Sequence, residues 1–461
     1  MNNQLVRFDI VGLHGVRDFS ISITGNRIIL VGENGSGKTT VFKMMYYTLS
    51  CDWDSLCTID FDHVTILFSN DQVVTISSSL LKSIFEIDTI DRVQYYVDGR
   101  RYHRPRFNAG VLNSVIGIIK ATESKNEMEL DRFFSDTSLP YSYIKGVLNA
   151  KPIKELYKIT QKIETCFNAT ILYLPTYRRI EEQLKTIFPN TDSEEWKKTR
   201  HLAKKDRSIE LVEFGMDDVE KAVKDYQEHL KDYSRAQQNK LTLGYLSEII
   251  EEKYEQVDIE NIRNLTEQQI SDILMRIEQS ILSDVQKAEI TRILSHTRDT
   301  LEQPAHVREK IICHYFLKII DFDREMNEEE ASLLRFIEIC NKYLVNNYLF
   351  YDKQSFACSI KNVVDCKCNN SKNIHFQDLS SGEKQIVSIF SHLNLTQEKE
   401  MFVFIDEPEL SLSVDWQRSF LPDIVSSPNC CGLIATTHSP FIFDNALEEI
   451  VHGINEFCTR G

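Results

Sequence analysis

Two stretches of the chain carry residue types suited to phosphate chemistry. The first is Gly32-Glu33-Asn34-Gly35-Ser36-Gly37-Lys38-Thr39-Thr40. Its glycines let backbone N–H groups turn inward around the β- and γ-phosphates of a nucleotide, and a helix that follows would aim its positive end at them. Lys38 would neutralise phosphate charge, and Thr39 would offer a hydroxyl to magnesium. The second is Phe402-Val403-Phe404-Ile405-Asp406-Glu407-Pro408-Glu409-Leu410, in which four apolar residues run into two adjacent carboxylates. Acids at the end of a buried strand cost desolvation unless a cation sits opposite. A magnesium nucleotide supplies one. Asp406 would then hold the metal, and Glu407 would polarise the attacking water as general base.

Two smaller groups join them. His438 ends the run Gly432-Leu433-Ile434-Ala435-Thr436-Thr437, at a strand end where a side chain can sense a γ-phosphate. A lone histidine elsewhere reads as an ordinary surface or core residue. Ser380-Ser381-Gly382-Glu383 has the Ser-x-x-Glu spacing of a capping box before an apolar-periodic helix. The same residues could grip a phosphate at that helix end. The spacing is compatible with both.

The elements that must position these groups follow from hydrophobic period. Residues 27–31 form a strand directly before the glycine loop, and 40–49 have helical spacing after it. Alternation over 5–10, 19–23, 64–68 and 73–76 predicts half-buried antiparallel strands, and 93–97 predicts another. Residues 171–175 and 402–405 read as strands buried on both faces of a parallel sheet. Between 180 and 347 glycine nearly vanishes and apolar residues recur at three and four. This predicts a helical insert of several helices of ordinary length, with starts near Thr266 and Asn327 and no sustained heptad. Strands return near 348–351 and 356–360. The predicted organisation is an α/β ATPase lobe at 1–179, a helical insert at 180–347, and a second ATPase lobe at 348–461.

The chain has 461 residues, a formal charge of −16 and 26% charged residues. That balance argues against a wholesale nucleic-acid coat. The basic, aromatic-interleaved strip Gly99-Arg100-Arg101-Tyr102-His103-Arg104-Pro105-Arg106 and the weaker Lys204-Lys205-Asp206-Arg207 are candidates for local nucleic-acid contact. The net charge favours a solvated loop or a contact to an acidic subunit surface over that reading. No run approaches the roughly 20 apolar residues of a membrane span, and the N-terminus lacks a signal-peptide pattern, so the expected location is the cytoplasm. Eleven cysteines without zinc-ligand spacing, including Cys366-Lys367-Cys368 and Cys430-Cys431, predict reduced thiols.

Taken in order, GENGSGKTT after a strand, LSSGEKQ, FVFIDEPELSLS and ATTHSP resemble the Walker A, signature, Walker B/D-loop and switch-histidine elements of ABC-type ATPases. The motifs occupy both ends of the chain with a helical insert between, as in Rad50- and OLD-like heads. That resemblance implies an α/β ABC-type ATPase head that binds ATP and Mg2+ and pairs head to tail. Ser380 of one subunit would cap the γ-phosphate held by Lys38 of the other. The DEPELSLS form with TTHSP is similar to OLD-like ATPases of bacterial antiphage systems. Leu174-Pro175-Thr176-Tyr177-Arg178-Arg179-Ile180-Glu181 and Phe214-Gly215-Met216-Asp217-Asp218-Val219 further resemble the AriA-type ATPases of PARIS systems. The resemblance implies a separate Toprim-type nuclease effector, because no such segment follows the ATPase motifs, and a phage protein as trigger. Departures are Thr176 in place of a Q-loop glutamine, Ser413 where OLD-like heads carry histidine, and Ser381 and Glu383 in the signature. Alternatives are a Septu- or retron-type ATPase with an HNH partner, and a DNA-repair ATPase of Rad50 or RecF type.

Overall fold

The computed structural model describes residues 4–33, 35–85, 116–117, 119–120, 150–174, 208–210, 216–277, 282–299, 306–363, 374–396, 400–410 and 412–460. The predicted strand at 93–97, both basic strips, Thr176, the 175–181 part of the AriA-like segment, residues 214–215, Cys366, Cys368 and Asn34 lie outside them. The chain divides into two compact units, one of residues 1–213 with 398–461 and one of residues 214–397.

The first unit holds two sheets. β1 (Leu5–Leu13), β2 (Arg17–Ser22), β4 (His63–Phe68), β5 (Val73–Ser77) and β13 (Cys458–Arg460) form an antiparallel sheet in the order β13-β2-β1-β4-β5. β3 (Arg27–Val31), β6 (Thr170–Leu174), β7 (Ser208–Glu210), β10 (Met401–Asp406), β11 (Cys430–Thr437) and β12 (Val451–Gly453) form a parallel sheet in the order β12-β3-β11-β10-β6-β7. β10 is one of the two central strands and every one of its six residues is buried, as its unbroken apolar run requires.

Helix α1 (Lys38–Leu49) packs on β10 and β11. Its ring of Tyr46 stacks on Tyr173 of β6 at 4.1 Å, and Phe42 meets Phe404 edge-on at 5.5 Å. These contacts fix the helix start, and so the phosphate loop, over the sheet end. Helices α2 (Ser78–Phe85) and α3 (Lys151–Cys166) pack on β5. The indole of Trp53 donates to Thr160 Oγ1 of α3 at 3.1 Å inside this core. Each predicted strand among the described residues of this unit is present within a few residues of its expected ends.

The second unit is a layer of helices with one hairpin. Its helices are α4 (Met216–Ile250), α5 (Glu267–Met275), α6 (Asp284–Asp299), α7 (Val307–Tyr343) and α8 (Ser381–Leu395), and β8 (Asn347–Asp352) pairs antiparallel with β9 (Ala357–Asn362). The expected start at Thr266 is found: its side chain and Gln269 form a capping box. The expectation of helices of ordinary length is overturned, because α4 runs 35 residues and α7 runs 37. The predicted helix start at Asn327 falls inside α7. Buried Phe316, Ile319, Phe322, Met326, Glu330, Leu333 and Phe336 keep one face continuous through that point. The polar residues that look like a cap instead hold Arg276, which donates to Glu330 Oε1 at 2.9 Å and to Asn327 Oδ1 at 2.5 Å. Tyr351 of β8 donates to the same Glu330 at 2.8 Å. A fully buried carboxylate is tolerated only with such partners.

Register between β10 and β11 depends on Gly432, which faces Phe402. A Cβ there would overlap the Phe402 ring and stand 2.8 Å from the Asn26 carbonyl. Gly432→Ala is expected to destabilise the protein by about 1–3 kcal/mol, and adding Phe402→Leu should recover part of the loss, as read by chemical denaturation. An unchanged midpoint for the single variant would reject this packing.

Candidate active site

The phosphate loop leaves β3 at Val31 and enters α1 at Lys38. Gly35 and Gly37 adopt φ of +80° and +96°, which side chains other than glycine rarely tolerate. Their positions let the loop curl in front of the helix N-terminus. Lys38 Nζ closes the curl, donating to the carbonyl oxygens of Gly32 at 2.5 Å and Glu33 at 2.8 Å. Glu33 itself points outward, and Thr39 and Thr40 lie in the first turn of α1. Asn34 lies outside the described residues.

β10 delivers its acids to the same place. Asp406 is buried and accepts the hydroxyl of Thr436 from β11. Glu407 follows with φ of +52°, a left-handed backbone that costs an L-residue on the order of 1–2 kcal/mol. Its backbone N–H is bound to the Thr436 carbonyl at 3.0 Å. The turned backbone sends its carboxylate toward the loop, where Glu407 Oε1 stands 4.0 Å from His438 Nε2. Gly35, Ser36, Gly37, Lys38, Thr39, Thr40, Glu407 and His438 all line one cleft of about 460 Å³. Three of the four motifs, separated by some 400 residues of sequence, thus meet in one place.

Electrostatics follow from this meeting. Burial pushes the Glu407 carboxyl above the usual glutamate range, with the charges of Asp406 and Glu409 adding to it and those of His438 and Lys38 opposing. Burial lowers Lys38, while Glu407, Asp406 and Glu409 hold it up. Asp406 and Glu407 bring carboxylate oxygens beside the loop, while both oxygens of Glu409 are taken by the Thr437 hydroxyl and the His438 N–H. Oxygen donors are the kind that Mg2+ takes, and Thr39 and Asp406 are the residues that would hold it. Among the described residues no group of three His, Cys, Asp or Glu is arranged as a self-sufficient metal site.

The Ser380 group belongs to the second unit and starts α8. Of the two readings of its spacing the structure contains the capping box, with Ser380 N donating to Glu383 Oε2 at 2.8 Å and Ser380 Oγ donating to it at 2.7 Å. Ser380 and Ser381 are exposed, and Gly382 is buried. Ser413 also caps a helix, α9 (Val414–Ser426), accepting from Trp416 N at 3.4 Å.

Sequence reasoning missed three neighbours of the cleft. His14 and Arg17 reach it from the β1–β2 turn, and Arg17 Nη1 donates to the Ser36 carbonyl at 3.1 Å. Nothing in their spacing relative to Gly32 marks them. Glu409 binds the end of β11, and its only sequence signal is its place two residues after Glu407.

A family model described as AAA ATPase domain matches residues 4–443. The chain belongs to this family. No curated protein sequence matches it. Solved structures similar to it include the Smc head domain with an extended coiled coil bound to the C-terminal domain of ScpA, derived from Pyrococcus furiosus. That likeness has 14% identity, 95% of this chain and 91% of the other covered, and a TM-score of 0.33. The Smc head bound to the C-winged helix domain of ScpA is similar at 9% identity, with coverages of 95% and 90% and a TM-score of 0.32. In this chain the AAA ATPase domain is an α/β fold with a parallel sheet carrying loop, acids and histidine, an antiparallel sheet, and a unit of helices. Among the described residues no helix is long and apolar enough to cross a membrane.

The environment of Glu407 can be read directly. In metal-free protein its carboxyl resonance should titrate above an ordinary glutamate, and Asp406→Asn should lower the midpoint by removing a like charge. A midpoint at or below the ordinary value would refute the burial described above.

Proposed function

We propose that the protein is the ATP-binding and ATP-hydrolysing subunit of a bacterial antiphage system, acting as sensor and scaffold. In this reading it controls a separate Toprim-type nuclease and triggers abortive infection when a phage protein is sensed. The ATPase part rests on one observation: Lys38, Thr39, Glu407 and His438 line a single cleft of about 460 Å³. The defence part rests on the sequence resemblance of DEPELSLS, TTHSP and the 174–181 and 214–219 segments to OLD-like and AriA-type ATPases.

Hydrolysis would proceed as follows. The loop N–H groups and Lys38 bind the β- and γ-phosphates, for which Lys38 must leave the Gly32 and Glu33 carbonyls. Glu407 accepts a proton from the attacking water, and His438 beside it contacts the γ-phosphate. Bound Mg2+ would neutralise charge developing on the phosphate oxygens. The Ser380 turn of a second copy completes the pocket, its hydroxyl turning from Glu383 to the γ-phosphate, so that two heads share two sites.

Removing the Lys38 charge-assisted bond is expected to weaken ATP binding about 10–100-fold in Lys38→Ala. Glu407→Gln should bind ATP yet lose about 10²–10⁴-fold in turnover; wild-type turnover would sink the general-base role. Mixing Lys38→Ala with Ser380→Ala should restore about one working site per hybrid dimer, and no restoration would count against shared sites. For the cellular role, the nuclease encoded beside this chain should co-purify with it and be released by a phage trigger. A neighbour that is no nuclease would reject the defence reading.

A further inference from the structure

Beyond the residues assigned to the phosphates and the attacking water, the end of β11 is gripped by a side chain from the turn after β10. Glu409 Oε1 accepts the backbone N–H of His438 at 2.8 Å, and Glu409 Oε2 accepts the hydroxyl of Thr437 at 2.8 Å. Thr437 is fully buried, so its hydroxyl has no solvent to turn to. One residue further, Ser439 Oγ donates to Gln417 Oε1 of α9 at 2.7 Å. The Gln417 amide returns to the first turn, donating to the Leu412 carbonyl at 3.0 Å. The backbone on each side of His438 is therefore tied to the 409–412 turn through carboxylate and amide side chains.

We propose that Glu409 is a positioning residue for hydrolysis: it fixes the main chain at His438 so that the imidazole faces Glu407 across the nucleotide cleft. The inference rests on the general-base reading of Glu407 and deepens it. β11 ends at Thr437, so the sheet gives His438 no ladder of its own. An exposed histidine one residue past a strand would sample many orientations, each lost on reaction. A carboxylate holding both positions removes the main-chain part of that freedom before substrate arrives. Two acceptors on one rigid group also couple the positions of Thr437 and His438, so neither moves without the other. Because Glu409 and Glu407 flank Pro408, a shift of either strand end moves base and histidine together.

The test compares Glu409→Ala, Thr437→Val and Thr437→Ser with wild type, at saturating ATP and Mg2+. Glu409→Ala should lower kcat about tenfold or more while KM and nucleotide affinity stay within about twofold, because phosphate binding does not pass through Glu409. Thr437→Val, which loses its bond to Glu409 and the bond its hydroxyl accepts from Ser439 N–H at 3.0 Å while Glu409 keeps His438, should fall between, and Thr437→Ser should return to wild type by restoring the hydroxyl. Exchange of the His438 amide, read without ATP, should rise about tenfold in Glu409→Ala, the loss of one hydrogen bond. Wild-type kcat in Glu409→Ala while Glu407→Gln is inactive would overturn the positioning role alone. Unchanged His438 exchange would overturn the grip itself. Full turnover by Glu407→Gln would remove the reading beneath the inference. Thr437→Ser as slow as Thr437→Val would assign the loss to packing and overturn it too. Should Glu409→Ala fail to fold, the threonine pair carries the comparison.

Discussion

Negative charge concentrated at the end of a wholly buried strand is the constraint on which the remaining architecture depends. β10 is sealed on both faces, and its chain emerges carrying Asp406, Glu407 and Glu409 within four residues. Each acid is provided for differently. Asp406 takes a hydroxyl from the neighbouring strand, Glu409 takes a hydroxyl and an N–H from the end of that strand, and Glu407 faces the cleft with Lys38 and His438. A parallel sheet makes this possible, because all its strand ends and the N-terminus of α1 open to the same side. The aromatic contacts of Phe42 and Tyr46 with Phe404 and Tyr173 hold the helix there.

Much of this was legible in the chain itself, for reasons that can be named. Strands buried on both faces leave runs such as Phe402–Ile405 that no half-exposed element would show. The glycine loop is legible because two of its residues occupy a backbone region that excludes other side chains. Helix length was not legible. Asn327-Glu328-Glu329-Glu330 has the composition of a helix start, yet Arg276, more than 50 residues earlier, recruits Asn327 and Glu330 into a buried cluster and the helix runs through. Local propensity cannot register a partner so distant in sequence. His14 and Arg17 escaped for the same reason: the β1–β2 turn reaches the cleft only once the two sheets of the first unit have formed.

The capping box at Ser380 gives the Ser-x-x-Glu spacing a local structural use. A helix N-terminus leaves N–H groups without partners, and Glu383 and Ser380 satisfy part of that need in the isolated chain. An anion arriving from outside would compete for the same hydroxyl. The local reading is thus the one the structure contains, and the reading by resemblance belongs to the proposal above.

The left-handed backbone at Glu407 narrows what chemistry this strand end could acquire by drift. Residues with branching at Cβ fit poorly at such a φ, and only glycine, asparagine and aspartate enter it readily. Glycine would relax the turn but carry no base. Aspartate would hold a carboxylate on a stem one carbon shorter, displaced from the position Glu407 occupies beside His438. The conformation that aims the acid thus also limits the side chains that could replace it.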